Sequence, residues 1–198
     1  MEALKALVGI VACGGKSERM GVDKSCIIYH SKEQRYHLYD MMKTSCKDVF
    51  LSCNTEQIKG IDEAYKILED DPQYLEMGPL TALLSAHKNH PDASLLLLGC
   101  DYPLINSEHL LLLQKNRSIN MEAVCFVNAS DRFPEPLLAI YENKFLKKIA
   151  QNYQLYNASL RQMLSKAKIK SIAEDSLQLM SVDTPEDFFE IKKRLGNK

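Results

Sequence analysis

The chain has 198 residues, 45% of them hydrophobic and 26% charged, with a formal net charge of −1. That length suits one domain of ordinary size, and the composition excludes a disordered chain. The near-neutral balance argues against a protein that coats nucleic acid, and no run approaches the roughly 20 apolar residues that would span a bilayer.

The first apolar piece, Ala6 to Cys13, runs into a glycine-rich turn instead of a small-residue cleavage site. It reads as a first strand, Leu7–Ala12, and not as a signal peptide, so the expected location is the cytoplasm. Gln34–Cys46 reads as a helix with Leu38, Met41, Met42 and Cys46 on one stripe. Val49–Cys53 is a second strand and Tyr65–Leu68 a short third one. Leu80, Leu83, Leu84 and His87 have helical spacing, which predicts a helix over Pro79–Lys88 with proline at its start. Ser94–Gly99 (SLLLLG) predicts the most buried strand. A helix capped by Asn106 or Ser107 then runs through Gln114. Ala123–Val127 and Leu137–Tyr141 predict strands, and Phe145–Tyr153 and Leu160–Ala167 predict helices. Thr184-Pro185-Glu186-Asp187 supplies a cap, a proline at the first helical position and two acids in the first turn. Phe188, Ile191 and Leu195 form the apolar face of that last helix.

Strands alternating with helices predict an α/β fold, a single doubly wound, mostly parallel sheet with helices on both faces. In such sheets ligands bind beyond the carboxyl ends of the strands. No linker divides the chain, so residues 1–198 are expected to form one domain. The six cysteines show no CxxC pair and no zinc spacing, which predicts free thiols, mainly buried.

The loop after the first strand, Cys13-Gly14-Gly15-Lys16-Ser17-Glu18-Arg19-Met20-Gly21-Val22-Asp23-Lys24, carries the chemistry. Three glycines let the backbone approach a ligand closely, and exposed amides there can cradle phosphate oxygens. Lys16, Arg19 and Lys24 add cations suited to a triphosphate. The spacing fits neither the Walker loop nor the dinucleotide fingerprint.

This loop resembles the LAGGxSxRMGxDK signature of the molybdenum cofactor guanylyltransferases and their nucleotidyltransferase relatives. The resemblance continues, in order, through Glu69-Asp70, Gly78-Pro79-Leu80, Cys100-Asp101-Tyr102-Pro103, Leu137–Tyr141, Ser159-Leu160-Arg161 and Val182-Asp183-Thr184-Pro185-Glu186-Asp187. It implies a nucleotide-diphospho-sugar transferase-like fold and transfer of GMP from GTP to the phosphate of molybdopterin, with pyrophosphate released. It further implies that Asp101 binds Mg2+, and that Lys24, with Arg19 as a second cation, neutralises the phosphates. Ala12, Cys13, Gly14 and Gly15 then contact the nucleotide, and Asp70 reads guanine. Molybdoenzymes or cofactor-biosynthesis proteins are the implied protein partners; neither nucleic acid nor membrane is.

No protein nucleophile is required, because the acceptor phosphate attacks directly; catalysis is then alignment and electrostatics. The chain departs from the family pattern at Ser52-Cys53-Asn54, at Ser31-Lys32-Glu33 and at Ser181-Val182-Asp183. The last change leaves Asp183 as either a second metal ligand or a cap. The alternatives are a related enzyme using CTP or a sugar phosphate, and a non-catalytic cofactor-binding module.

Overall fold

The computed structural model describes residues 3–14, 23–130, 132–156, 159–175 and 177–196. Its strands are β1 (Leu7–Ala12), β2 (Asp48–Cys53), β3 (Ile67–Glu69), β4 (Ser94–Gly99), β5 (Ala123–Asn128), β6 (Pro134–Tyr141) and β7 (Ile169–Glu174). They form one seven-stranded sheet in the order β3-β2-β1-β4-β6-β5-β7. β1 to β4 pair in parallel, whereas β6 runs antiparallel to both β4 and β5. Two reversals return β5 to the direction of β4, and β7 follows it in parallel.

β1 and β4 are buried along their whole length, which is why both read as unbroken apolar runs. Alternation then sends side chains to opposite faces. Leu95 and Leu97 meet α3 (Pro79–Asn89), α5 (Asn143–Asn152) and α6 (Leu160–Ser165) through Leu83, Phe145, Ile149 and Leu164. Leu96 and Leu98 meet α1 (Gln34–Met42) and α4 (Ser107–Lys115) through Leu38, Met42, Leu110 and Leu113. Each fully buried leucine contributes about 1.5–3 kcal/mol, so the central strands dominate the core. A third cluster joins Tyr29 and Val182 to Ile191 of α7 (Pro185–Gly196). Thr184 caps α7 reciprocally: its hydroxyl accepts the Asp187 N–H, and Asp187 Oδ2 accepts the Thr184 N–H.

At the edge where β4 begins, Glu142 is 5% exposed. Arg117 Nε and Nη2 donate to its two carboxylate oxygens at 2.8 and 2.9 Å, and the Ser94 hydroxyl adds a third bond at 2.7 Å.

Several elements differ from the sequence reading. α1 ends at Met42 and not at Cys46, because the Thr44 hydroxyl donates to the Met41 carbonyl and the chain turns. β3 begins at Ile67 because Tyr65 leaves the strand to stack on Tyr36 at 4.2 Å. β7 and the short helix α2 (Thr55–Ile58) were not expected. Among the described residues no helix is long and apolar enough to cross a membrane.

Candidate active site

The chain fills β1, β2 and β3 in one direction and then crosses to β4 on the other side of β1. The carboxyl ends of β1 and β4 therefore flank the point where the winding reverses, the place where such sheets open a crevice. A cleft of about 790 Å³ lies there. Its walls are Ala12, Cys13 and Gly14 after β1, Asp70 after β3, the start of α3, and Gly99, Cys100 and Asp101 after β4. Gly78 enters α3 with φ 55° and ψ −135°, a conformation that only glycine takes without strain.

Asp101 folds its carboxylate back over the end of β4. Gly99 makes room for it: a Cβ at position 99 would stand 2.3 Å from Asp101 Oδ1 and 3.1 Å from Leu137. That Oδ1 is buried and has no hydrogen-bond partner. Burial pushes the Asp101 pKa up to about 6; its own backbone and Lys24 oppose the shift, while Asp183 and Glu135 add to it.

The Asp101 carbonyl accepts the Val182 N–H at 2.8 Å, which brings the following residue, Asp183, alongside. Lys24 Nζ donates to Asp183 Oδ1 at 2.6 Å. Lys24 opens a single 3-10 turn, Lys24–Cys26, that Asp23 caps by accepting the Ser25 N–H at 2.9 Å. Next to Asp101, the Tyr102 hydroxyl donates to Glu135 Oε2 at 2.8 Å.

Across the cleft, Asp70 Oδ1 accepts the Ser52 hydroxyl at 2.6 Å. Its Oδ2 lies 3.6 Å from where a Cβ would project at Gly14, so the carboxylate faces the end of β1. Burial raises its pKa, and the Ser52 bond offsets part of the rise.

Cys53, Cys13 and Cys100 stand side by side at the ends of β2, β1 and β4. A hydrogen bond to Cys100 pushes the Cys13 thiol well above its ordinary range, with burial adding to it. A buried neutral thiol is a poor nucleophile. All six cysteines are free, four buried and two, Cys26 and Cys46, partly so.

Ala12, Cys13, Gly14, Lys24, Asp70 and Asp101, the expected site residues that the structure describes, all line this one cleft. Gly15, Lys16 and Arg19 lie outside the described residues. Ser52 and Gly99 were not anticipated. Among the described residues no cluster of three or more His, Cys, Asp or Glu side chains is arranged to hold a metal. A buried, unpartnered carboxylate oxygen beside a second carboxylate nevertheless fits a hard cation that takes its other ligands from phosphates and water.

The model of the MobA-like NTP transferase domain matches residues 9–175. A molybdenum cofactor biosynthesis bifunctional protein of Synechocystis sp. is 32% identical over 192 residues, which cover 93% of this chain and 53% of that protein; the chain spans about half that relative's length. A probable molybdenum cofactor guanylyltransferase of Bacillus mycoides is 26% identical over 197 residues, with 96% and 98% of the two chains covered. Among solved structures, the molybdopterin-guanine dinucleotide biosynthesis protein A of Archaeoglobus fulgidus superposes with a TM-score of 0.77 at 17% identity, covering 96% of this chain and 100% of that one. The shared fold is of the nucleotide-diphospho-sugar transferase type.

Proposed function

The chain belongs to the MobA-like NTP transferase family, and from that premise we propose that it transfers GMP from GTP to the phosphate of molybdopterin. An oxygen of the acceptor phosphate attacks the α-phosphorus and stays bonded to it, the bond from the α-phosphorus to the α–β bridging oxygen breaks, and pyrophosphate leaves carrying that bridging oxygen. One observation carries the reading: Asp101 Oδ1, buried without a partner at the winding reversal, with Lys24 and Asp183 beside it.

Lys24 neutralises the departing pyrophosphate, with Arg19 as a second cation. Asp101 holds Mg2+, which when bound neutralises charge across the triphosphate, and Asp183 is the candidate second carboxylate. Backbone groups of Ala12, Cys13, Gly14 and Gly15 lie against the nucleotide. Asp70 accepts from N1 and N2 of guanine, donors that adenine lacks. The buried neutral Cys13 has no covalent role. On this reading residues 1–198 form one nucleotidyltransferase domain in the cytoplasm, with molybdoenzymes or cofactor-biosynthesis proteins as onward partners.

Thermal melting with each nucleoside triphosphate and magnesium tests the reading. GTP at about 100 times its Kd adds about 2.7 kcal/mol, a rise of about 5–11 °C for a chain of this size. An equal rise with CTP overturns the guanine assignment. No rise with any triphosphate overturns the reading itself.

A further inference from the structure

Gln57 lies on α2, an element with four helical residues that carries none of the expected site groups. Its side-chain nitrogen donates to the Cys13 carbonyl at 2.9 Å and to Asp23 Oδ2 at 2.9 Å. Its side-chain oxygen accepts the Asn54 N–H at 3.2 Å, and Asn54 Oδ1 accepts the Gln57 N–H at 2.9 Å, which closes a reciprocal cap. The partners fix the amide's orientation: two acceptors require its nitrogen and one donor requires its oxygen.

Cys13 and Asp23 are the two ends of the glycine-rich segment. One primary amide fastens both. Asp23 then uses its other oxygen, Oδ1, to cap the turn that bears Lys24. A continuous path of hydrogen bonds runs from the capped start of α2 through Asp23 to the Ser25 amide, in the turn that Lys24 opens.

We propose that Gln57 is a positioning residue: by joining the Cys13 carbonyl to Asp23 it fixes the turn that presents Lys24 to the triphosphate. Both ends of the segment are then ordered when the chain folds, so that ordering is not subtracted from nucleotide affinity. The ligand named here rests on the guanylyl reading; the positioning itself does not.

Gln57→Glu isolates the effect. Glutamate is a preferred residue at this place in a capping box and still accepts the Asn54 N–H, so α2 keeps its cap. Both donated bonds disappear, and a second carboxylate faces Asp23. Gln57→Lys is the complement: it donates again but no longer accepts.

Amide hydrogen exchange at Ser25 and Cys26 is measured in the unliganded protein, and the Kd for magnesium-GTP by calorimetry. For Gln57→Glu we expect faster exchange at both amides, a melting temperature within a few degrees of the parent, and affinity weaker by about tenfold or more, the usual weight of hydrogen bonds to a charged group. Gln57→Lys should bring both readouts back toward the parent. Unchanged exchange in Gln57→Glu overturns the proposal whatever the ligand. Faster exchange with unchanged Kd overturns the role in binding. A parent that binds no magnesium-GTP sinks the guanylyl reading instead, and the exchange comparison still decides whether Gln57 holds the turn of Lys24.

Discussion

Gly99→Ala separates the carboxylate's place from the strand's integrity. The new methyl would lie 2.3 Å from Asp101 Oδ1 and 3.1 Å from Leu137 Cβ and Cδ1. Non-bonded heavy atoms do not stay at 2.3 Å, so something moves. Shifting β4 inside a packed sheet costs about 1–3 kcal/mol, as overpacked cores do. Turning the Asp101 side chain off its rotamer costs about 0.5–1.5 kcal/mol. The cheaper movement wins: the carboxylate swings away, and Leu137 yields by a few tenths of an ångström. With a total near 1–1.5 kcal/mol and about 2–4 °C per kcal/mol, the melting temperature should fall by about 2–6 °C. Oδ1 no longer sits where the cation is proposed to bind, so magnesium-dependent GTP affinity should fall about 100-fold, close to 2.7 kcal/mol. Melting curves and calorimetry with and without magnesium measure the two effects apart. A melting point lowered by far more than 10 °C would mean that the strand gave way and not the side chain. Parent-like magnesium-GTP binding would refute the assignment of Oδ1.

Two further outcomes follow from the frame and from α1. Arg117→Ala leaves the buried Glu142 carboxylate with the Ser94 hydroxyl but without its two guanidinium bonds; removing one partner of a buried pair costs about 3–5 kcal/mol, and a chemical-denaturation loss below about 1 kcal/mol would contradict the clamp. His37 stacks on His30 at 4.1 Å, and burial, then His30 and Lys32, lower its pKa from 6.5 to about 4 against the pull of Asp40. The unfolded chain therefore binds the proton first: this contribution to stability is full above pH 6.5 and is lost as the pH falls toward 4. His37→Gln should flatten that part of the melting-temperature profile, and an unaltered slope would count against the shift.

The sequence shows its central strands plainly because burial on both faces demands runs such as SLLLLG, and α3 and α7 because proline marks their starts. The family resemblance nominated Asp70 and Asp101, and the structure places both in the cleft at the sheet's carboxyl edge. β7 was hidden because an edge strand with no buried residue lacks an apolar run. The antiparallel course of β6 had a faint trace in the short gap after β5, too short for a crossover helix. Asn54-Thr55-Glu56-Gln57 carries a capping-box spacing that marks α2, but four residues are too few for a periodic stripe. Gly99 gave no trace at all, since what it makes room for is a side chain two residues further on.

Lys24 shows most clearly what spacing can nominate and what only folding can add. Its place in the glycine-rich loop nominates it as a phosphate ligand. Its partner, Asp183, is 159 residues away and reaches it because the Asp101 carbonyl holds Val182. The pair is short at 2.6 Å, yet Asp183 remains 49% exposed. Ion pairs open to water are worth about 0–1 kcal/mol, so this one aims Lys24 at the cleft without locking it there. On the proposed reading, a triphosphate carrying several negative charges would displace one half-exposed carboxylate at little cost. On the same reading, that exchange would leave Asp183 available beside Asp101 as an oxygen ligand for a cation. The ion pair thus balances, in the unliganded cleft, the charges of the same groups that are proposed to bind the substrate.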